Sequence, residues 1–259
     1  ERTSVTSSNG KQPESIAIFD GLVYVLNSGA PANVSGFRLR EDGRLIPLPQ
    51  TPQPLSTAAP VSPQIGFDDD GGLLLATEKA TNLIDTYVVG PDGTLMAPMH
   101  QMSAGQTPFG FLFDRRGHLL VTDAFGGAAG KSATSSYNVS SDGTLRPVTG
   151  LVNNGQSAAC WIAVALNSHY VYVSNTGSNN ISAYSLDHDG SLRLIGNGAA
   201  ANTGLTPVDL AVDRDSRFLY VLNDGSGTIG GYGIQSDGSL HEIGTFGSLP
   251  LSSTGLAAR

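Results

Sequence analysis

The stretch YVVGPDGTL at residues 87–95 returns fifty residues later as YNVSSDGTL at residues 137–145. Both follow one pattern, an aromatic residue, four further residues and then Asp-Gly-x-Leu. The pattern occurs five times, at spacings of 50, 50, 47 and 48 residues. A period of this length with strand-like content is typical of β-propeller blades. The five copies span residues 37–45, 87–95, 137–145, 184–192 and 232–240.

Each repeat contains four strand-like segments. The Asp-Gly pair predicts a tight type I′ hairpin between the third and fourth strands. A continuous apolar run upstream predicts a second strand that is buried on both faces, and a shorter apolar segment before it predicts a first strand. No segment has helical periodicity. The second strands are LVYVLN (22–27), LLLATE (73–78), LLVTD (119–123), YVYVSN (170–175) and FLYVLN (218–223).

The segments that flank the repeats also resemble strands. RTSVTSS (2–8) fits a fourth strand, and TGLAAR (254–259) fits a first strand. We therefore predict an all-β propeller domain over residues 1–259, with five complete four-stranded blades and two partial end strands. Either the ring closes on a half-built blade, or about two blades' worth of sequence precedes Glu1. The second alternative is favoured because an incomplete blade exposes sheet edges.

Composition excludes several classes of function. The chain of 259 residues has 14% charged residues and a formal net charge of −8, which argues against binding to nucleic acid or to an anionic membrane surface. No apolar run is long enough to span a bilayer. Cys160 is the only cysteine, so no internal disulfide can form.

Several segments of the chain resemble lactonase-type β-propellers with YVTN repeats, a family that includes bacterial 6-phosphogluconolactonase and the fungal carboxymuconate-lactonising enzymes. The similarity is closest to uncharacterised lactonase-like proteins. It implies a seven-bladed ring of which this chain forms the C-terminal portion, and a bacterial protein that is exported or periplasmic. The segments are KQPESIAIFDGLVYVLNSG (11–29), TPFGFLFDRRGHLLVTDAFGG (107–127), AACWIAVALNSHYVYVSNTGS (158–178) and TGLAAR (254–259).

Short polar or acidic residues end all five second strands. In a four-stranded blade these ends share a face with the starts of the first strands, where propeller ligands usually bind. The side chains either cap the following turns or form a ring of oxygen ligands for a cation or a polar substrate. Glu78 and Asp123 are the predicted general bases. The five residues are Asn27, Glu78, Asp123, Asn175 and Asn223.

The only three lysines, Lys11, Lys79 and Lys131, are all predicted to lie in loops on this same face. They are either solvated surface charges or a local positive patch that suits a carboxylate or phosphate ligand. Phe109 and Trp161 begin two first strands. They are either core aromatics or an apolar platform for substrate.

The sequence also departs from the characterised lactonases. These carry a histidine-rich stretch at the start of a first strand, whereas the matching segment here, TPFGF (107–111), has Phe109 at the expected histidine. No Ser-His-Asp or Cys-His arrangement can be placed on the ligand face. We therefore transfer no catalytic residue from the family.

Two functions remain open on this evidence. One is a lactone hydrolase, isomerase or cyclase that acts on a small anionic lactone or related acid at the channel mouth. The other is a non-catalytic propeller that binds a ligand or a partner. We expect neither a cofactor nor a metal, although the polar ring would provide the ligands in a metal-dependent version. An N-terminal fragment or a partner chain is the expected means of completing the ring.

Overall fold

A computed structural model describes residues 4–165 and 169–258. Its strands form five antiparallel sheets of four consecutive strands, and in each sheet neighbours in sequence are neighbours in space. The all-β propeller fold predicted from the repeat is confirmed. The chain divides into two compact units. Unit 1 comprises Glu1–Ser103 and Val139–Leu145, and unit 2 comprises Ala104–Asn138 and Arg146–Arg259. The assignment of residues 1–259 to one domain stays a prediction.

The first two sheets lie in unit 1. The first sheet contains β1 (Lys11–Phe19), β2 (Leu22–Gly29), β3 (Asn33–Leu39) and β4 (Leu45–Pro47), with the short β5 (Gln53–Pro54) also paired to β3. The second sheet contains β6 (Ile65–Phe67), β7 (Leu73–Glu78), β8 (Leu83–Val88) and β9 (Met99–Met102).

Three further sheets follow in the chain. The third contains β10 (Pro108–Phe113), β11 (His118–Asp123), β12 (Ala133–Val139) and β13 (Leu145–Asn153). The fourth contains β14 (Ala159–Val164), β15 (Tyr170–Asn175), β16 (Asn180–Leu186) and β17 (Leu192–Leu194), with β18 (Ala201–Asn202) also paired to β16. The fifth contains β19 (Pro207–Val212), β20 (Phe218–Asn223), β21 (Thr228–Ile234) and β22 (Leu240–Gly247).

The two predicted end strands pair with no other strand in the described part of the chain. Residues 4–8 and 253–258 belong to none of the five sheets. Short 3₁₀ turns occur at Phe125–Gly127 and Asp224–Ser226, in the turns after two of the second strands.

The hairpin at each Asp-Gly pair differs from the predicted type I′ turn. At residues 40–44 the loop has three residues, closed by hydrogen bonds from Gly43 N–H to Arg40 O and from Arg40 N–H to Arg44 O, both 2.9 Å. Positive φ occurs at Gly43, 78°, but not at Asp42. Asp42 Oδ1 instead accepts the N–H of Arg44 at 3.1 Å. The prediction of a type I′ turn was wrong because Asp holds the turn through its side chain, leaving positive φ to glycine alone.

These glycines also lie against the neighbouring sheet. A Cβ at Gly93 would come within 2.5 Å of Leu22 in the first sheet, and a Cβ at Gly238 would come within 2.5 Å of Tyr170 in the fourth. Tyr172 Oη donates to Gly238 O at 3.0 Å, and Tyr24 donates to Gly93 O in the same way. The Asp-Gly-x-Leu repeat is therefore both a turn signal and a packing signal.

Within each unit, apolar cores lie between successive sheets. In unit 1, Tyr24 and Leu26 of the first sheet pack with Leu74 and Tyr87 of the second, and all four are completely buried. In unit 2, apolar side chains of β15 and β16 pack against β20 and β21. Apolar residues on both faces of the second strands predicted this arrangement.

Candidate functional site

Each second strand as predicted from the sequence ends in a fully buried polar side chain that bonds to the third strand or to a nearby loop, although β2 continues past Asn27 to Gly29. Asn175 Nδ2 donates to Asn180 Oδ1 at 2.9 Å and to Ser182 Oγ at 2.8 Å. Asp123 Oδ2 accepts from Ser135 Oγ at 2.8 Å. Asn27 and Asn223 make similar bonds to the strands that follow them. These contacts favour turn capping over a shared ring of ligands.

Glu78 lies at the centre of a buried polar cluster in unit 1. Its Oε1 accepts the Ser56 N–H at 2.9 Å, and its Oε2 accepts the hydroxyls of Ser56 and Thr81. The carboxyl of Asp85 lies beside it. Both acids are completely buried. Glu78 therefore ties the linker before the second sheet to the turn after β7.

Burial and the neighbouring Glu78 together raise the pKa of Asp85 to about 9. Asp85 Oδ2 is buried without a donor, whereas Oδ1 lies 2.7 Å from His100 Nδ1. The Asp85 carboxyl therefore lies between the buried Glu78 and the partly exposed His100.

Replacing Asp85 by asparagine is expected to flatten the pH dependence of stability. Its folded-state pKa lies above the usual value, so the native state keeps a proton that the unfolded chain releases between about pH 4 and pH 9. Wild-type stability should therefore fall across this window, by at most about 1.4 kcal/mol per pH unit. Asp85→Asn should remove that decline, as measured by urea unfolding at several pH values. The exposed Asp20→Asn is the control, and parallel profiles for Asp85→Asn and wild type would disprove this assignment.

A residue of unusual backbone conformation, here called the entry residue, lies near the start of each first strand; Gln12 is the second residue of β1, and the other four precede their strands. Each entry residue has φ between 51° and 56° although none is glycine. Such values are rare for β-branched side chains, so the surrounding structure must hold them. In unit 2, the carbonyls of Thr107, Ala158 and Thr206 accept the N–H groups of Ala124, Thr176 and Asp224. The five entry residues are Gln12, Val61, Thr107, Ala158 and Thr206.

Phe109 and Trp161 meet at the starts of β10 and β14. Their ring centroids are 6.1 Å apart with an interplanar angle of 73°, an edge-to-face contact between two partly exposed rings. Two first strands thus contribute one aromatic surface in unit 2. The substrate platform predicted for these two residues stays a prediction.

Gly110 allows the two strands to approach closely at this surface. A Cβ at Gly110 would lie 2.6 Å from Cys160 O and 3.1 Å from Trp161 Cα. Thr122 Oγ1 accepts the Gly110 N–H at 2.9 Å and donates to Cys160 O at 2.7 Å. One hydroxyl of β11 therefore joins both strands that carry the aromatic pair.

Two other predicted residues lie in unit 2. Asp123 is paired with Pro108, the neighbour of Phe109, but its side chain is fully buried, with Gly105 packed against it. Lys131 is exposed in the loop before β12. The adjacent Gly130 N–H donates to Ser157 Oγ at 3.1 Å, which holds this loop against the linker into β14.

The remaining predicted residues lie in unit 1. Lys11 is the exposed first residue of β1, and Lys79 follows β7 directly, next to the buried Glu78. The Glu78 and Asp123 roles and the three-lysine patch stay predictions. The sequence analysis missed Ser56, Thr81 and Asp85, which no local motif marks, because the fold alone brings them to Glu78.

Two searches of the described residues give negative findings. No group of three or more His, Cys, Asp or Glu side chains within 4–165 and 169–258 could hold a metal ion. In the same part of the chain, no helix has the length and apolarity that crossing a membrane requires.

Comparisons with known proteins agree with this architecture. A family model described as lactonase, 7-bladed β-propeller, matches residues 133–251. No functionally curated protein matches the chain. A candidate 6-phosphogluconolactonase from Bacteroides uniformis superposes with a TM-score of 0.78 at 19% identity, covering 94% of this chain and 74% of the other.

Two further solved structures show how far this similarity extends. The periplasmic gluconolactonase PpgL of Pseudomonas aeruginosa gives a TM-score of 0.69 at 14% identity, covering 94% and 73% of the two chains. Hydrazine synthase of Kuenenia stuttgartiensis also gives 0.69 at 14% identity, covering 92% and 75%. At such identities these likenesses establish the fold and leave the reaction open. The chain is therefore a β-propeller whose resemblance to the lactonase family, expected from its sequence, is confirmed by the match over residues 133–251.

Proposed function

We propose that this protein is a lactonase-like propeller that acts on a small anionic lactone or a related acid. The observation that carries the proposal is the partly exposed Phe109–Trp161 pair, whose centroids lie 6.1 Å apart at the starts of two first strands. Two partly exposed aromatic rings in edge-to-face contact offer an apolar surface to a small ring compound. The family match over residues 133–251 supports a lactone as that compound.

Lys131 is the lysine of unit 2 that suits an acidic substrate. Lys131 is exposed on a loop that Ser157 holds beside the linker into β14. On a chain of net charge −8, an exposed cation on a loop held to the linker that leads into β14 favours an anion there. We therefore propose Phe109 and Trp161 as the ring-binding residues and Lys131 as the residue that attracts the acid group. Lys11 and Lys79 stay proposals for the same role.

The proposed reaction is ring opening by water. A base takes a proton from water as the oxygen adds to the lactone carbonyl, and the ring C–O bond then breaks. The ring oxygen leaves with a proton, so the product is the hydroxy acid. Asp123 is the proposed base in unit 2, and Glu78 is the corresponding proposal in unit 1. Water could reach Asp123 only if the linker at Gly105 moved, because this glycine packs on the carboxyl.

A non-catalytic binding propeller is the second candidate. It is favoured by the complete burial of Glu78 and Asp123 and by the hydroxyl donors that hold both carboxylates. Under this proposal the aromatic pair binds the ligand and no side chain acts as a base. A periplasmic or exported location, suggested by the family resemblance, fits either proposal.

Ligand binding can be followed directly, because Trp161 is the only tryptophan. We expect its emission to change saturably with at least one member of a panel of sugar-acid lactones, their phosphorylated forms and the open acids. Phe109→Ala should weaken that binding by about tenfold, the value of one aromatic contact. Acid release measured in the same samples distinguishes an enzyme from a binding protein.

Matched controls make this test specific. Phe246→Ala removes an exposed aromatic of β22 and should leave binding unchanged. Lys131→Ala should weaken binding of the acids more than binding of uncharged lactones. If no compound alters Trp161 emission and none is turned over, both proposals fail.

A further inference from the structure

All three methionines of the chain lie in one short stretch of the second sheet. The sequence MAPMHQM at residues 96–102 contains Met96, Met99 and Met102, with His100 between the last two. Met99–Met102 is β9, the outer strand of that sheet, and the whole stretch belongs to unit 1. Thioether and imidazole groups are ligands that soft metal ions prefer, so this strand carries the side chains of a metal site.

Strand geometry sorts these side chains onto two faces. Alternate residues of a strand share a face, so His100 and Met102 lie on one face of β9, and Met99 and Gln101 lie on the other. Exposure follows the same alternation, because His100 and Met102 are exposed whereas Met99 and Gln101 are partly buried. Met102 is 68% exposed. His100 and Met102 are therefore neighbouring ligand groups that an ion can reach from solvent.

The other face of β9 packs against the hairpin at residues 139–145. Gln101 Nε2 donates to Gly143 O at 2.9 Å and to Thr86 Oγ1 at 3.1 Å. A Cβ at Gly143 would lie 3.1 Å from Met99 Cε. Met99 is therefore a packing residue, and Met102 is the more accessible thioether of the strand.

Asp85 holds the ring of His100 in an orientation that suits metal binding. Asp85 Oδ1 lies 2.7 Å from His100 Nδ1, and the two residues are paired across β8 and β9. This contact engages Nδ1, so Nε2 is the ring nitrogen that remains for an ion. Histidines that bind metals almost always hold a carboxylate, a carbonyl or a water on their other nitrogen, which fixes the ring. Asp85 is completely buried and supports the exposed imidazole from within the sheet.

The types of ligand select the class of ion. One thioether and one imidazole suit a soft monovalent ion such as Cu(I), whereas Mg²⁺ and Ca²⁺ require a larger set of oxygens and Zn²⁺ a tetrahedral set of ligands. Within residues 4–165 and 169–258, no group of three or more His, Cys, Asp or Glu could provide such a set. Alternate α-carbons of a strand are about 7 Å apart, which leaves room for an ion between two side chains.

We propose that His100 Nε2 and Met102 Sδ form a binding site for a soft monovalent metal ion, Cu(I), and that Asp85 positions His100 for this role. The proposal revises the expectation, drawn from the sequence, that the chain binds no metal. The site lies on an outer strand of unit 1 and uses neither Phe109 nor Trp161, so it is independent of the proposed lactone site.

Silver(I) in chloride-free buffer is the probe, because it has the ligand preferences of Cu(I) and needs no reductant. In protein labelled with carbon-13 at the methionine methyl groups, each of the three methionines gives one signal. We expect the Met102 signal to shift and to saturate at one equivalent, whereas the Met96 signal should not move. Zn²⁺ should shift neither signal. Since the Cys160 thiol also binds silver(I), the same titration is made with Cys160→Ser.

Variants identify the ligands. Met102→Leu and His100→Ala should each weaken silver(I) binding by more than about 100-fold, and Asp85→Asn should weaken it by about tenfold, within the range that loss of an outer partner costs. Met96→Leu removes another exposed thioether, 61% exposed, and should leave the affinity unchanged.

Three results would overturn the proposal. The first is a set of methyl signals that shift together without saturation, which indicates adventitious binding. The second is a Met102 signal that no longer responds in Cys160→Ser. The third is an unchanged affinity in Met102→Leu or His100→Ala. None of these measurements depends on lactone binding.

Discussion

Glu78→Ala should destabilise the protein by about 3 kcal/mol relative to wild type. The change leaves the Ser56 N–H and the hydroxyls of Ser56 and Thr81 without their acceptor, in a site where the carboxylate is completely buried. A buried donor that loses its partner costs about 1–3 kcal/mol, and three donors are affected here. Removal of the negative charge beside Asp85 offsets part of this loss.

Glu78→Gln is the matched control because the amide oxygen can still accept either the Ser56 N–H or the hydroxyls of Ser56 and Thr81. It should lose less than half as much stability as Glu78→Ala in urea unfolding, and the exposed Glu41→Ala should lose almost none. The same Gln variant tests the proposed catalytic role, since a base cannot be replaced by an amide. Equal stability of the Ala and Gln variants would contradict the structural role, and unaltered turnover would contradict the catalytic one.

Gly110→Ala should cost about 2–3 kcal/mol and should weaken ligand binding at Trp161. The new Cβ would lie 2.6 Å from Cys160 O, a backbone atom that cannot move without shifting β14. Separation of β10 and β14 alters the edge-to-face contact between Phe109 and Trp161. Both stability and Trp161 emission should therefore change.

Gly150→Ala provides the comparison for this substitution. Gly150 lies within β13, and a Cβ there would meet no atom within 4 Å. Thermal unfolding of this variant should match wild type, and its Trp161 emission should be unchanged. If Gly110→Ala has the same stability and the same Trp161 emission as wild type, β10 and β14 have room to separate and the prediction is wrong.

The sequence predicted the sheets well because their signals are local. The aromatic residue, the Asp-Gly pair and the following leucine lie within nine residues, and a single hairpin satisfies them. The turn type was mistaken because the Asp42 side chain offers its own hydrogen bond, an alternative that the letters Asp-Gly do not distinguish.

The candidate site was less predictable because its contacts join distant parts of the chain. Phe109 and Trp161 are 52 positions apart, and their contact depends on bulges at the starts of β10 and β14. Glu78 meets Ser56 and Asp85 only through strand pairing and a linker. The sequence could identify Glu78 as unusual among the five strand ends. It could not show that Ser56 and Thr81 surround the Glu78 carboxylate with hydrogen-bond donors.

The tyrosine hydroxyls that reach the Asp-Gly loops of the next sheet limit where this scaffold can be altered. A residue inserted in the loop at 90–94 or 235–239 would displace a carbonyl that accepts a hydrogen bond from a tyrosine of the preceding sheet. Tyr172 Oη donates to Gly238 O in this way. Foreign peptides, labels and randomised segments should therefore be placed at the other end of the blades.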